Sequence, residues 1–298
     1  MLGALVVTIP LSGLPLAFIG LSYGLLQASF VALITVSFIA FISPMLALSL
    51  GLMMFAPTLL LLRFALLSRA IPDSSDYEFY PFGHLILWAT AITSIGSAAL
   101  FLSYASVPGG LAGSITNILW QIPEIRENLQ NLYSISSQAD MQAIASLIII
   151  AGLSSWPLLL LGNLHVSQTL AQFLGRNLRP TPDYEVLRLP AWLIAILFIC
   201  LAGGLWQSSQ MGTSWVGDLL LTIAAICLMA YFLLGLIIIH AISHGWQGRM
   251  FALSALYFLV LMLTWVIIPI SLVGLFDTVV DFRRLSKNNQ PPDETKEE

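Results

Sequence analysis

"QASFVALITVSFIAFISPMLALSLGLMMFAPTLLLLR", residues 27–63, holds no charged side chain until its last residue, Arg63. Nothing before it is charged either, so residues 1–62 form one uncharged run. As helix that run measures about 93 Å at ~1.5 Å per residue, or about three crossings of a ~30 Å hydrocarbon core. The rest of the chain is similar. Of 298 residues, 58% are hydrophobic and 9% charged, and the mean hydropathy is +0.91. Soluble domains carry roughly 25% charged residues, so this composition cannot make an ordinary water-facing surface. It predicts a polytopic membrane protein whose first partner is the lipid bilayer.

Backbone polar groups in hydrocarbon have no water to bond, so each span must be a helix or part of a closed barrel. The runs are continuously apolar rather than alternating, which selects helices. Crossings are expected at about 2–21, 23–42, 44–62, 84–103, 143–162, 189–206, 215–239 and 251–276. The fold class is therefore an all-α integral membrane bundle of about eight segments, with seven as the alternative count. One polytopic domain covers 1–286, and the acidic end 287–298, which contains "NNQPPDETKEE", reads as a disordered tail. The last crossing spans about 39 Å as helix, so it must tilt, bend at Pro269 or protrude. Pro10 and Pro15 interrupt the first.

The N-terminus lacks the Lys/Arg region of a cleaved signal and reads as retained. A net charge of −4 argues against nucleic acid as a partner. Cys200 and Cys227 fall in apolar runs and read as small hydrophobes. Arg63 and Arg69 on one loop, and Arg176, Arg179 and Arg188 on another, put both loops on the cytoplasmic side. Arg283, Arg284 and Lys287 favour that side too, yet three crossings separate them from Arg188, which eight crossings cannot reconcile.

Several constellations stand out against this background. Gly13, Ala17, Gly20, Gly24 and Ala28 recur at spacings of four, three, four and four. That stacks small residues on one helix face, where another backbone can come close. Packing within the chain and docking of a membrane partner subunit both use such a face. Residues 112–132 show helical amphipathicity interrupted by Pro123, as expected of an interfacial helix, either passive or a lid. The aromatic residues of "PDSSDYEFYPFGH", 72–84, suit a membrane-edge anchor.

His165, Gln168, Gln172 and Arg176 lie at i, i+3, i+7 and i+11 and form a polar stripe. A polar stripe on an apolar helix is costly unless it faces a cavity, a partner or water. It is either a substrate-binding wall or the wet side of a helix leaving the membrane. His240 and His244 are four apart, but Ala241 stands where an H-E-x-x-H site needs Glu, and no third ligand is near. Helix-end histidines bonded to carbonyls explain them better, so no metal is expected. Asp218, near the start of its run, reads as interfacial.

In "GLFDTVVDFRRL", 274–285, Asp277, Asp281 and Arg284 are spaced by four and three and share a helix face. They read as a membrane-edge ion pair; the alternative is a functional acid pair. No G-x-S-x-G, P-loop or G-x-G-x-x-G element is present. The expectation is accordingly no enzyme and no cofactor.

Four stretches, "PLAFIGLSYGL" (15–25), "GNLHVSQTLAQFLGRNLRPTPDYEVLRLPAWL" (162–193), "FLLGLIIIHAISHGWQGRMFALSALYFLV" (232–260) and "GLFDTVVDFRR" (274–284), together resemble the YybS-like family of bacterial multi-pass membrane proteins of unknown function. That family is remotely similar to the substrate-binding components of energy-coupling-factor vitamin transporters. The resemblance implies a helical bundle in the bacterial inner membrane that binds a small molecule near its outer face and docks on a coupling subunit. It carries over no catalytic residue. The leading expectation is a small-molecule binding or transport component, and the rival is a non-catalytic scaffold for another membrane complex.

Overall fold

The computed structural model describes residues 11–71, 77–124, 126–127, 137–180, 187–212, 214–243 and 246–280. The chain is almost wholly helical. Helices α1 (Gly13–Tyr23) and α2 (Leu25–Ile42) are followed by a long helix in two parts, α3 (Pro44–Leu50) and α4 (Ala56–Ala65), joined by a π turn at Gly51–Phe55. A small hairpin, β1 (Ser68–Ala70) and β2 (Tyr77–Phe79), leads to α5 (Phe82–Ser103) and α6 (Gly110–Trp120). Then come α7 (Gln138–Ser154), α8 (Trp156–Phe173), α9 (Trp192–Met211), α10 (Trp215–Ile242), α11 (Arg249–Met262) and α12 (Ile267–Val280).

Six of the described helical segments are long and apolar enough to cross a membrane, or seven if α11 and α12 form one broken span. These spans fit a membrane-embedded helical protein; the expected count is about eight, with seven as the alternative. Residues 2–10 of the first expected segment lie outside the described residues. Among described residues α1 has only 11 residues, about 16 Å, and Gly24, at φ +104°, separates it from α2. The expected 143–162 segment is instead part of Gln138–Phe173, a 36-residue run with a join at Ser155.

Prolines explain the breaks. Pro57 has no N–H to give the carbonyl of Met53, four residues earlier, and its ring crowds that carbonyl. The helix widens into its π turn there, and the Trp156 indole N–H donates to the Met53 carbonyl at 3.0 Å. A carbonyl that hydrocarbon would leave bare is thereby satisfied from another helix. Pro269 acts the same way on Trp265. The bend therefore falls a turn before the proline, through extended Leu263 and a 3-10 turn at Thr264–Val266, and turns the axis by 120°.

At the centre, α10 packs most extensively on α9 and α12. Gly235 of α10 abuts the Ile270 carbonyl and Gly274 of α12 abuts the Tyr231 carbonyl, leaving no room for a Cβ at either. The two contacts make α10 and α12 antiparallel. Asp277 then falls level with about Leu228, the middle of the 28-residue α10, and is buried. The bend at 263–266 starts α12 near the C-terminal end of α10, so the acid read as a membrane-edge group lies halfway down α10. Asp281 and Arg284, the other members of the expected pair, lie outside the described residues.

The arginine-bearing loops meet at one end of the bundle. Arg179 is buried, and its guanidinium donates to the Ala65 carbonyl at 3.1 Å and the Tyr80 carbonyl at 2.7 Å. Ala65 ends α4, so the cation also answers the partial negative charge of that helix end. Around it Phe64 stacks on Trp88 at 4.3 Å, and the Trp88 indole donates to the Tyr80 hydroxyl at 3.2 Å. Arg69 pairs with Glu78 across the hairpin at 2.7 Å. The small-residue face is used internally: Gly13 lies against Met54, Thr58 and Asn163, Gly20 against Leu62, and Ala17 is fully buried. Gly24 interrupts that face rather than extending it.

Trp156→Phe leaves the Met53 carbonyl without its donor and should lower stability by about 1–3 kcal/mol. Thermal unfolding in detergent measures it. In a Pro57→Ala background, which returns an intrahelical donor, the same substitution should cost much less.

Candidate functional site

Directions along the bundle locate the site. Ser146 of α7 donates to Asp218 of α10 at 2.8 Å, with both side chains buried. The α7–α8 run and α10 continue side by side from that contact. Twenty-two residues beyond Asp218, about 33 Å along the helix, α10 reaches His240. There α8, α10 and α11 part around a cavity of about 460 Å³ that the first residue of α5, Phe82, also lines. Its volume falls within the roughly 300–1,000 Å³ of small-molecule sites.

Leu158 and Leu161 of α8 and Leu233, Leu236 and Ile237 of α10 make the wall apolar. Four polar side chains enter it: His165 from α8, His240 from α10, and Arg249 and Tyr257 from α11. His240 Nδ1 lies 2.8 Å from the Leu236 carbonyl. A carbonyl only accepts, so this nitrogen carries the hydrogen. The other ring nitrogen, Nε2, is thereby aimed at the Tyr257 hydroxyl, 3.3 Å away. Arg249 opens α11, and its Nε is buried without a hydrogen-bond partner. Gly162 contributes open space, since a Cβ there would meet nothing within 4 Å.

The expected polar stripe does not act as one wall. His165 lines the cavity. Gln168 is buried beside it and donates through Nε2 to the Arg179 carbonyl at 2.7 Å, helping to hold the arginine-rich loop. Gln172 is half-buried and Arg176 exposed, and neither lines the cavity. The reason is the helix end. Gly175, at φ +65°, donates to the Gln172 carbonyl, and Arg176 donates to the Ala171 carbonyl. These two bonds form a Schellman motif that stops α8. Arg176 is thus past the helix, where its guanidinium donates to the Tyr23 hydroxyl and lies 5.8 Å from the centre of that ring.

His240 follows the carbonyl-bonded reading of the sequence, and His244 lies outside the described residues. Among described residues no group of three His, Cys, Asp or Glu side chains could hold a metal. Asp218, read as interfacial, lies in the first turn of α10 and is buried there against Ser146. The lid idea for 112–132 does not serve this cavity, because Gly110 of α6 packs on Trp215, at the opposite end of α10 from His240. Residues 125 and 128–132 of that stretch are not described.

Sequence reasoning missed Arg249, Tyr257 and Gly162. Helical periodicity groups residues of one helix, whereas this site takes its polar groups from three. The usable signal was the rarity of ions: Arg249 is one of 11 basic residues in the chain and opens an apolar helix.

Gln168→Leu should lower stability by about 1–3 kcal/mol through the donor lost to the Arg179 carbonyl, read as a fall in Tm, with the cavity left intact. Against family models, curated proteins and solved structures, the chain finds no match.

Proposed function

We propose that this is a multi-pass membrane protein that binds a small molecule in the cavity between α8, α10 and α11. The observation that carries the reading is an apolar chamber of about 460 Å³ entered, among the described residues, by four polar side chains. Such a chamber, mostly apolar with a few convergent polar groups, is what a small-molecule site requires. The long apolar helices support a lipid setting, and the bacterial inner membrane as location rests on the family resemblance alone. Binding as part of transport follows from the same resemblance. His165, His240, Arg249 and Tyr257 supply orientation in this reading, and Gln168, Gln172 and Arg176 support the fold around it.

The rival reading, a scaffold docked through Gly13, Ala17, Gly20 and Gly24, is weaker because Gly13, Ala17 and Gly20 already pack within the chain. Gly20→Leu would collide with Leu62, so a lost partner and a damaged fold would look alike.

Gly162→Leu is the cleaner probe, because its new side chain enters open space at the cavity wall. Native mass spectrometry of detergent-purified protein should show a co-purified small molecule in the wild type and none in Gly162→Leu, at unchanged Tm. Gly152→Leu, which also enters open space but away from the cavity, should keep it. Equal loading of Gly162→Leu and wild type would remove the cavity from consideration.

A further inference from the structure

We infer that the cavity selects an amphiphile with one apolar chain and an anionic headgroup, an inference that rests on reading the cavity as a binding site. Among the described residues the polar groups that enter it are His165, His240, Tyr257 and Arg249, and no Asp or Glu lines it. Arg249 carries a fixed positive charge. Among the described residues no carboxylate pairs with it, and its buried Nε has no acceptor. A carboxylate or phosphate in the cavity compensates that charge, its oxygens accepting from the terminal nitrogens of the guanidinium. An ammonium headgroup would meet like charge, and an alcohol would leave the charge uncompensated.

Polarity is segregated along the chamber. His240, in the last turn of α10, touches Tyr257 of α11, and Arg249, which opens α11, lines the same cavity. Leu233 and Leu236 lie one to two turns deeper on α10, and Leu158 and Leu161 face the chamber from α8. The headgroup therefore sits at the α10–α11 junction and the chain runs inward against leucines. A water occupies about 30 Å³ of liquid, so a cavity of about 460 Å³ takes about fifteen non-hydrogen atoms of similar size. A twelve-carbon single-chain anion meets that size.

The test uses the full chain in dodecyl maltoside and four probes sharing one tail: dodecanoate, dodecyl phosphate, dodecanol and dodecylammonium. Titration followed by native mass spectrometry should show at least tenfold tighter binding of the two anions, and the preferred anion separates a fatty-acid source from a lipid-phosphate source. Arg249→Gln should remove the anion preference while dodecanol still binds and Tm holds. Should that variant fail to fold, Tyr257→Phe serves instead, with an expected loss of at least threefold in the preference. Dodecanol or dodecylammonium binding as tightly as the anions overturns the headgroup inference and leaves the site standing, as does an unchanged preference in the variants. Binding of none of the four probes overturns both.

Discussion

One buried guanidinium organises the arginine-rich end of this bundle. Arg179 gives its hydrogens to the carbonyl that ends α4 and to that of Tyr80 before α5, while its own carbonyl accepts from Gln168 of α8. Three helices are thereby tied at one level by bonds that an apolar surrounding strengthens. The tie matters because Phe82 and His165, beside those same contacts, form one flank of the cavity. Polar atoms are scarce in this chain, and this cluster shows how they are used: one bond closes the carbonyl vacancy at the end of α4 and the others hold loop carbonyls.

The cavity depends on two kinds of wall. On one side α10 is locked to α12 by backbone-to-backbone approach at Gly235 and Gly274, a contact only glycine allows. On the other, α11 has no buried residue and meets the bundle chiefly through Tyr257, Leu256 and Val260. His240 stands on the firm wall and Arg249 and Tyr257 on the lightly held one. The polar end of the chamber is thus assembled across a junction rather than carved into one helix.

Much of the architecture was legible in the sequence. An uncharged run up to Arg63 dictates apolar helices, and the loops that carry Arg69 and Arg179 are in direct contact. Proline also speaks, but a turn upstream of its own position: Pro57 orphans Met53, and Pro269 displaces the bend to Leu263–Val266. What could not be read was depth and convergence. Spacing put Asp277 at the end of an apolar run, yet the run folds back and sets it level with the middle of α10. Spacing also joined Arg176 to His165, and a single left-handed glycine, Gly175, broke that link. The cavity residues lie on helices distant in sequence, and no periodicity joins Gly162 to Arg249.

The elbow between α11 and α12 has a consequence for how the polypeptide is threaded during synthesis. Residues 249–280 present enough hydrophobic length to be taken for a single stop-transfer segment, but their two limbs diverge by 120°. Hydrophobic length and the number of passes are therefore uncoupled over this region. Any scheme that assigns compartments by counting greasy segments will reverse the side given to the polypeptide after Val280, according to whether the elbow scores as one pass or none.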